Sequence, residues 1–224
     1  MIYTKICGIR RTEDAIAAAE AGADFIGLVF VPERRRRLEL AAAAEIVCEL
    51  RTLIPEPPRV VGLFADQPLE DVIETIKFCG LDLAQLCGQE SPDYCRAIAE
   101  QTGAEVIKVL HVSASEAAAE NGIDGGVATR LAPYREAACY VTLDRLVEGL
   151  QGGTGQSFDW EVAAQLSRGG YEFLLAGGLT PENVAQAVQQ VNPWGVDVSS
   201  GVETGGHQDE EKIRAFIHNA RAAL

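Results

Sequence analysis

What the chain lacks narrows the field first. No apolar stretch approaches the roughly 20 residues that a membrane-crossing helix needs, and the longest runs, such as 25–31, fall far short. A helical membrane protein is excluded. Positive charge is scarce: 19 Lys and Arg stand against 33 Asp and Glu, a formal charge of −14. Such a surface repels polyanions, so nucleic acid is not an expected partner. The opening residues MIYTKICGIR have neither the long apolar core nor the small-residue cleavage site of a signal peptide, and a cytoplasmic protein is expected. There is no CxxC pair among the six cysteines at 7, 48, 79, 87, 95 and 139, which therefore read as reduced thiols, mostly core filler. The three histidines, at 111, 207 and 218, stand in no zinc-ligand spacing, and no metal is expected.

What is present is a regular alternation. Short runs rich in β-branched and aliphatic residues, at 2–7, 25–30, 60–65, 83–86, 106–110, 140–144, 173–176 and 196–199, are separated by Ala/Glu-rich stretches of helical period. That pattern is a series of βα units. Helices are expected at about 11–21, 38–52, 68–78, 91–101, 155–168, 181–190 and 209–222, several with a plausible start, as at Thr180-Pro181. The fifth connection, 113–136, mixes helix formers at 116–119 with Asn121-Gly122 and Gly125-Gly126, so its helix should be short or irregular. No linker divides the chain, and residues 1–224 are expected to form a single domain. Eight strands in 224 residues leave about 28 residues per unit, which suits a compact (βα)8 barrel, the TIM barrel. A doubly wound open sheet is the alternative, because strand number does not establish closure.

In such a barrel, chemistry is found at the C-terminal ends of the strands and in the loops that follow. Strand 1 ends in Lys5-Ile6-Cys7-Gly8. Cys7 is either a buried small apolar residue or, with its thiolate stabilised nearby, a base or nucleophile. Alternation puts Lys5 on the same inward face. A buried ammonium needs a partner, and barrel closure would make Asp197 on strand 8 that partner. Strand 6 ends in Asp144, either a loop-starting Asp or a general acid. Strands 1 and 6 are three steps apart around an eight-strand ring, so Cys7 and Asp144 should face each other across the mouth, as suits proton removal at one atom and donation at another. Glycine-rich loops follow strands 6, 7 and 8: Gly152-Gly153-Thr154-Gly155, Ala176-Gly177-Gly178-Leu179 and Ser199-Ser200-Gly201-Val202-Glu203. The last two positions are the recurring phosphate site of these barrels. A phosphorylated small molecule is therefore the expected partner. Arg34–Arg37 after strand 2 reads as solvated surface, although one of the four would suit a bidentate hold on a substrate carboxylate. His111, near the end of strand 5, is a weaker candidate for the mouth.

These motifs, together with Gln85-Leu86-Cys87-Gly88, Leu143-Asp144 and Leu179-Thr180-Pro181-Glu182-Asn183-Val184, resemble the signature of the phosphoribosylanthranilate isomerase family of tryptophan biosynthesis, in order from residue 4 to the final helix. The resemblance implies a (βα)8 barrel performing a cofactor-free Amadori rearrangement, from N-(5′-phosphoribosyl)anthranilate to 1-(2-carboxyphenylamino)-1-deoxyribulose 5-phosphate. It implies that Asp144 protonates the ribose ring oxygen and that Cys7 removes the C2′ proton. It also implies that amides around Gly177, Gly178, Ser200 and Gly201 hold the phosphate, with Gly153 closing one side. Alignment on Phe30 and Pro32 selects Arg36 for the anthranilate carboxylate, with Arg35 or Arg37 reachable by a one-residue shift. Gln85 and Cys87 fall at substrate-facing positions, Cys87 standing where the family usually has His. A homodimer and a monomer both fit. The rivals are a ribulose-phosphate epimerase, whose metal-ligating His and Asp are not apparent; the histidine-pathway aminoaldose isomerase, which has an Asp where this chain has Cys7; and a non-catalytic module that has kept the phosphate loops.

Overall fold

The computed structural model describes residues 1–112, 126–145 and 160–224. Eight parallel strands, β1 (Tyr3–Cys7), β2 (Phe25–Val29), β3 (Arg59–Phe64), β4 (Leu83–Leu86), β5 (Glu105–Val112), β6 (Tyr140–Arg145), β7 (Leu174–Leu175) and β8 (Gly195–Val198), form a closed barrel in sequence order. Each is followed by a helix: α1 (Thr12–Glu20), α2 (Leu40–Leu53), α3 (Leu69–Cys79), α4 (Pro92–Thr102), α5 (Ala128–Glu136), α6 (Trp160–Arg168), α7 (Val184–Val191) and α8 (Glu210–Ala222). Closure rests on β1 pairing with β8 through Tyr3↔Gly195, Lys5↔Asp197 and Ile6↔Val198, which rules out the open sheet. Among the described residues no helix is long and apolar enough to cross a membrane.

Strand alternation sorts the core into two shells. Cys7, Phe25, Val29, Val61, Leu63, Leu83, Ile107 and Leu174 fill the barrel interior. The intervening residues, among them Ile6, Ile26, Val60, Ala84, Val106 and Val196, pack outward against the helices. At the N-terminal end Trp194 stacks on Tyr3 and Tyr140, with ring centroids 4.4 and 5.3 Å away.

Most boundaries follow the sequence expectation, and two local features refine it. In the fifth unit α5 is irregular, carrying Pro133 in its interior, but at nine residues it is no shorter than α1 or α6; residues 113–125, on whose composition the expectation rested, lie outside the described set. The helix expected from 181 begins at Val184, because the Asn183 side chain folds back, accepting from Thr180 N at 2.8 Å and donating to Gly178 O at 2.9 Å. The preceding residues form a turn instead of a first helical turn.

A buried ion pair stiffens the outer shell. Lys108, next to inward-facing Ile107, points the other way and donates from Nζ to Leu86 O, Gly88 O and Glu90 Oε2 at 3.0, 2.7 and 2.9 Å. Glu90 also accepts from the amides of Asp66 and Gly88 at 2.8 and 3.0 Å. The loops after β3 and β4 are thereby tied to β5. Removing one member of a buried pair strands the other's charge, at a cost of about 3–5 kcal/mol. Lys108→Met should therefore lower Tm by roughly 6–20 °C, and Lys108→Met/Glu90→Gln should recover part of that loss; calorimetry on both variants checks the coupling.

Candidate active site

Cys7 closes β1 with its side chain in the barrel interior, only 6 % exposed. Beside it on β2 stands Gly27, where a Cβ would come within 2.9 Å of Cys7 Sγ; the missing side chain is what leaves the sulfur room. Gly8 then turns the chain at φ +81°, a left-handed value that favours glycine. One step below, Lys5 is fully buried and its Nζ lies 3.0 Å from Asp197 Oδ2, the pair expected from closure. Burial disfavours the Lys5 ammonium, yet Asp197 and Cys7 outweigh it and hold the group charged, above its usual value. The same burial pushes the Cys7 thiol up; Lys5 and, more weakly, Arg36 pull it down, while Asp197 adds to the rise. Cys7 is a thiol with cationic support for its thiolate, a suitable base when ionised.

Asp144 is half-buried near the end of β6, its Cα in register with His111 on β5. In barrel order β6 reaches β1 through β7 and β8, so Asp144 and Cys7 sit three strands apart at one C-terminal mouth. His111, the weaker candidate, reaches toward that rim: its Nε2 is 3.4 Å from Cys87 O. Gln85 is buried on β4, its Nε2 3.8 Å from Cys87 Sγ and its Oε1 without a hydrogen-bond partner among the described residues. Burial pushes the Cys87 thiol up to about 12 despite the Gln85 contact, leaving it neutral at physiological pH.

The loop after β2 folds back on its own strand. Leu38 N donates to Val29 O at 2.8 Å and Arg37 N to Arg34 O at 2.9 Å, with Glu33 in the left-handed region at φ 60°. The chain loops round to bridge Val29 and Arg37 in the parallel sense, and this return separates the four arginines. Arg36 Cδ lies directly over Gly8, where any Cβ would strike it, and the side chain is 22 % exposed. Arg35 and Arg37 are about half exposed; Arg35 turns to Glu203 and Gly206 O, at 2.6 and 2.8 Å, and Arg37 toward Glu39 at 3.6 Å. Of the three alternatives, Arg36 alone lies over the end of β1.

After β7, at the same mouth, Gly177 and Gly178 both adopt positive φ, 92° and 71°, and neither amide donates to another backbone carbonyl among the described residues. Facing them, Ser200–Val202 forms one 3-10 turn, and Gly201 packs so closely on Leu179 O that a Cβ would collide with it. Two glycine loops thus meet with main-chain N–H groups near the surface, an arrangement suited to an anion. Gly153 lies outside the described residues.

Three contributors were not assigned a role from sequence. Asn183 braces the Gly178 loop. Gln208 donates from Nε2 to Cys7 O at 3.1 Å, and Glu203 joins the loops after β2 and β8. Asn183 and Glu203 sit inside the 179–184 and 199–203 motifs, whose residues mark the segment without giving these two side chains a role; Gln208 lies in a Gly-Gly-His-Gln stretch that reads only as flexible.

The opposing pulls on Cys7 can be measured. Peptide-resolved alkylation of Cys7 should accelerate with pH to a midpoint above the ordinary thiol value of about 8.5. In Lys5→Met/Asp197→Asn, which strands neither member of the pair as an unpaired charge, the midpoint should move higher still, since Lys5 acts on the sulfur more strongly than Asp197; an unchanged midpoint would show that the ammonium does not act there.

Comparison with known proteins agrees with this geometry. The family model for N-(5′-phosphoribosyl)anthranilate isomerase matches residues 4–219. The N-(5′-phosphoribosyl)anthranilate isomerase of Trichlorobacter lovleyi is 43% identical over 225 residues, covering 100% of both chains. The phosphoribosyl anthranilate isomerase structure from Thermotoga maritima superposes with a TM-score of 0.83 at 34% identity, covering 99% of this chain and 100% of that one. A further structure of such an isomerase, in complex with reduced 1-(o-carboxyphenylamino)-1-deoxyribulose 5-phosphate, gives a TM-score of 0.78 at 34% identity, covering 99% of this chain and all of the other. With a matching family model over nearly its whole length and a relative of this identity along all of it, the chain belongs to the N-(5′-phosphoribosyl)anthranilate isomerase family.

Proposed function

We propose that this chain converts N-(5′-phosphoribosyl)anthranilate to 1-(2-carboxyphenylamino)-1-deoxyribulose 5-phosphate, with Cys7 as general base and Asp144 as general acid. One arrangement carries the reading: a thiol backed by a buried ammonium, a carboxyl group three strands away on the same rim, and a glycine-built anion site between them in barrel order. The ligand named for the relative is the reduced form of this product.

In this reading the phosphate rests on the main chain around Gly177, Gly178, Ser200 and Gly201, with Gly153 at one side, while Arg36 takes the anthranilate carboxylate. Gln85 and Cys87 line the floor, Cys87 as a neutral thiol. Asp144 gives its proton to the ring oxygen as the C1′–O bond breaks and the nitrogen lone pair forms the C1′=N bond. The Cys7 thiolate then takes the C2′ proton; the C–H electrons become the C1′=C2′ bond and the iminium electrons return to nitrogen. The enolamine becomes the ketone as C1′ gains a proton and the 2′-hydroxyl loses one. Proton return from the thiol to the Asp144 carboxylate through solvent resets both groups. No cofactor is required by this chemistry. A cytoplasmic location suits a biosynthetic step of this kind, and a homodimer is the proposed assembly, since a relative from Thermotoga maritima is described as dimeric.

Because the base works as a thiolate whose formation burial opposes, kcat/KM should rise as pH increases through the Cys7 titration. Cys7→Ala and Asp144→Asn should each lower kcat by about 10²–10⁴ with little change in Tm; near-normal turnover by Cys7→Ala would remove the thiol from its role. Arg36→Ala should act chiefly on KM. Growth of a tryptophan auxotroph lacking this isomerase should be restored by the chain and not by Cys7→Ala. Parallel assay with the histidine-pathway aminoaldose separates the two isomerase readings.

A further inference from the structure

Four consecutive arginines in an acidic chain would ordinarily all turn to water, yet two of them converge on a single carboxylate. Arg36 Nε donates to Glu203 Oε1 at 2.6 Å and Arg35 Nη2 to Glu203 Oε2 at 2.6 Å. The Glu203 side chain is only 8 % exposed, although both of its partners come from a surface loop 167 and 168 residues away in sequence.

Glu203 is itself firmly held. It begins the two-stranded hairpin of β9 (Glu203–Thr204) and β10 (His207–Gln208) that follows the 3-10 turn. Asp209 N donates to Val202 O at 2.9 Å, and Lys212 Nζ donates to Glu203 O at 2.9 Å. Thr204 Oγ1 donates to Asp209 Oδ2 at 2.6 Å, and Asp209 in turn caps α8 by accepting from Lys212 N. At the hairpin tip Gly206 O accepts from both Arg10 and Arg35, at 2.9 and 2.8 Å. The loop after β2 is therefore fastened to the segment that also carries Ser200 and Gly201.

The geometry of the guanidinium gives this contact a consequence for ligand binding. Glu203 uses the Nε edge of Arg36 and no other hydrogen bond is made by that side chain among the described residues, so the terminal nitrogens keep a planar pair of N–H donors for a second carboxylate. Two guanidinium charges against one carboxylate also leave a net positive charge beside the mouth, which attracts an anion. We infer that Glu203 is a positioning residue that orients Arg36 over Gly8 for the substrate carboxylate and couples that subsite to the phosphate loop; the inference rests on the proposed role of Arg36. Burial alone would raise the Glu203 carboxyl, but the hydrogen bonds from Arg36 and Arg35 outweigh it and hold it below the usual range, so the brace remains charged at neutral and alkaline pH.

The test is a double-mutant cycle on the full chain with N-(5′-phosphoribosyl)anthranilate as substrate, using Glu203→Gln, Arg36→Ala and their combination. Glu203→Gln preserves shape and removes charge; it should raise KM about tenfold while kcat falls less than threefold. In the Arg36→Ala background the same change should alter KM by less than twofold, because a positioning residue has nothing left to position. Thermal melts of all three variants report folding independently. If Arg36→Ala raises KM but Glu203→Gln does not, or if the two effects multiply, the positioning role is overturned and the carboxylate reading stands. If Arg36→Ala leaves KM unchanged, the carboxylate reading falls and the inference falls with it.

Discussion

The ion pair between Lys5 and Asp197 serves two demands at one point. It lies where the first and last strands meet, so it belongs to the seam that converts a row of βα units into a closed ring. It also lies directly beneath Cys7, where the ammonium is the strongest cationic influence on the sulfur. A buried pair of this kind is seldom the most stable filling for a core, since desolvation offsets much of the attraction. Its value here is chemical: a fixed positive charge in a dry interior acts on a neighbouring thiol far more strongly than an exposed lysine would.

The remaining polar interior follows the same division of labour. Lys108 and Glu90 are equally buried but face the helices, where they hold the loops after β3 and β4. Strand alternation separates the two lysines: inward on β1, a buried cation becomes part of the mouth, and outward on β5 it becomes a loop anchor. The side of the mouth proposed for the phosphate is built from backbone instead of charged side chains, with positive φ at Gly177 and Gly178 and Gly201 packed closely on Leu179 O.

Much of this was legible in the residues. Two-residue alternation within short apolar runs, separated by stretches of helical period, marked the strands and their order, because a pleated strand buried on its inner face has little freedom in where it puts apolar side chains. Cys7, Asp144 and the glycine loops stood out because they occupy strand ends, where packing does not demand them. The Lys5–Asp197 contact could be anticipated, since a buried cation needs an anion and closure leaves few neighbours.

What the order of amino acids determined alone was the repeating unit, the inward or outward sense of each strand residue, and the chemistry available at each strand end. Three-dimensional packing decided the rest: closure over an open sheet, Arg36 over its neighbours in a four-arginine run, and the joint hold of Glu203 on that run from the far end of the chain. Periodicity is a local property, written into every few residues by backbone geometry. The direction in which a flexible arginine points depends on which carboxylate a distant loop brings within 3 Å, and no local pattern records that meeting.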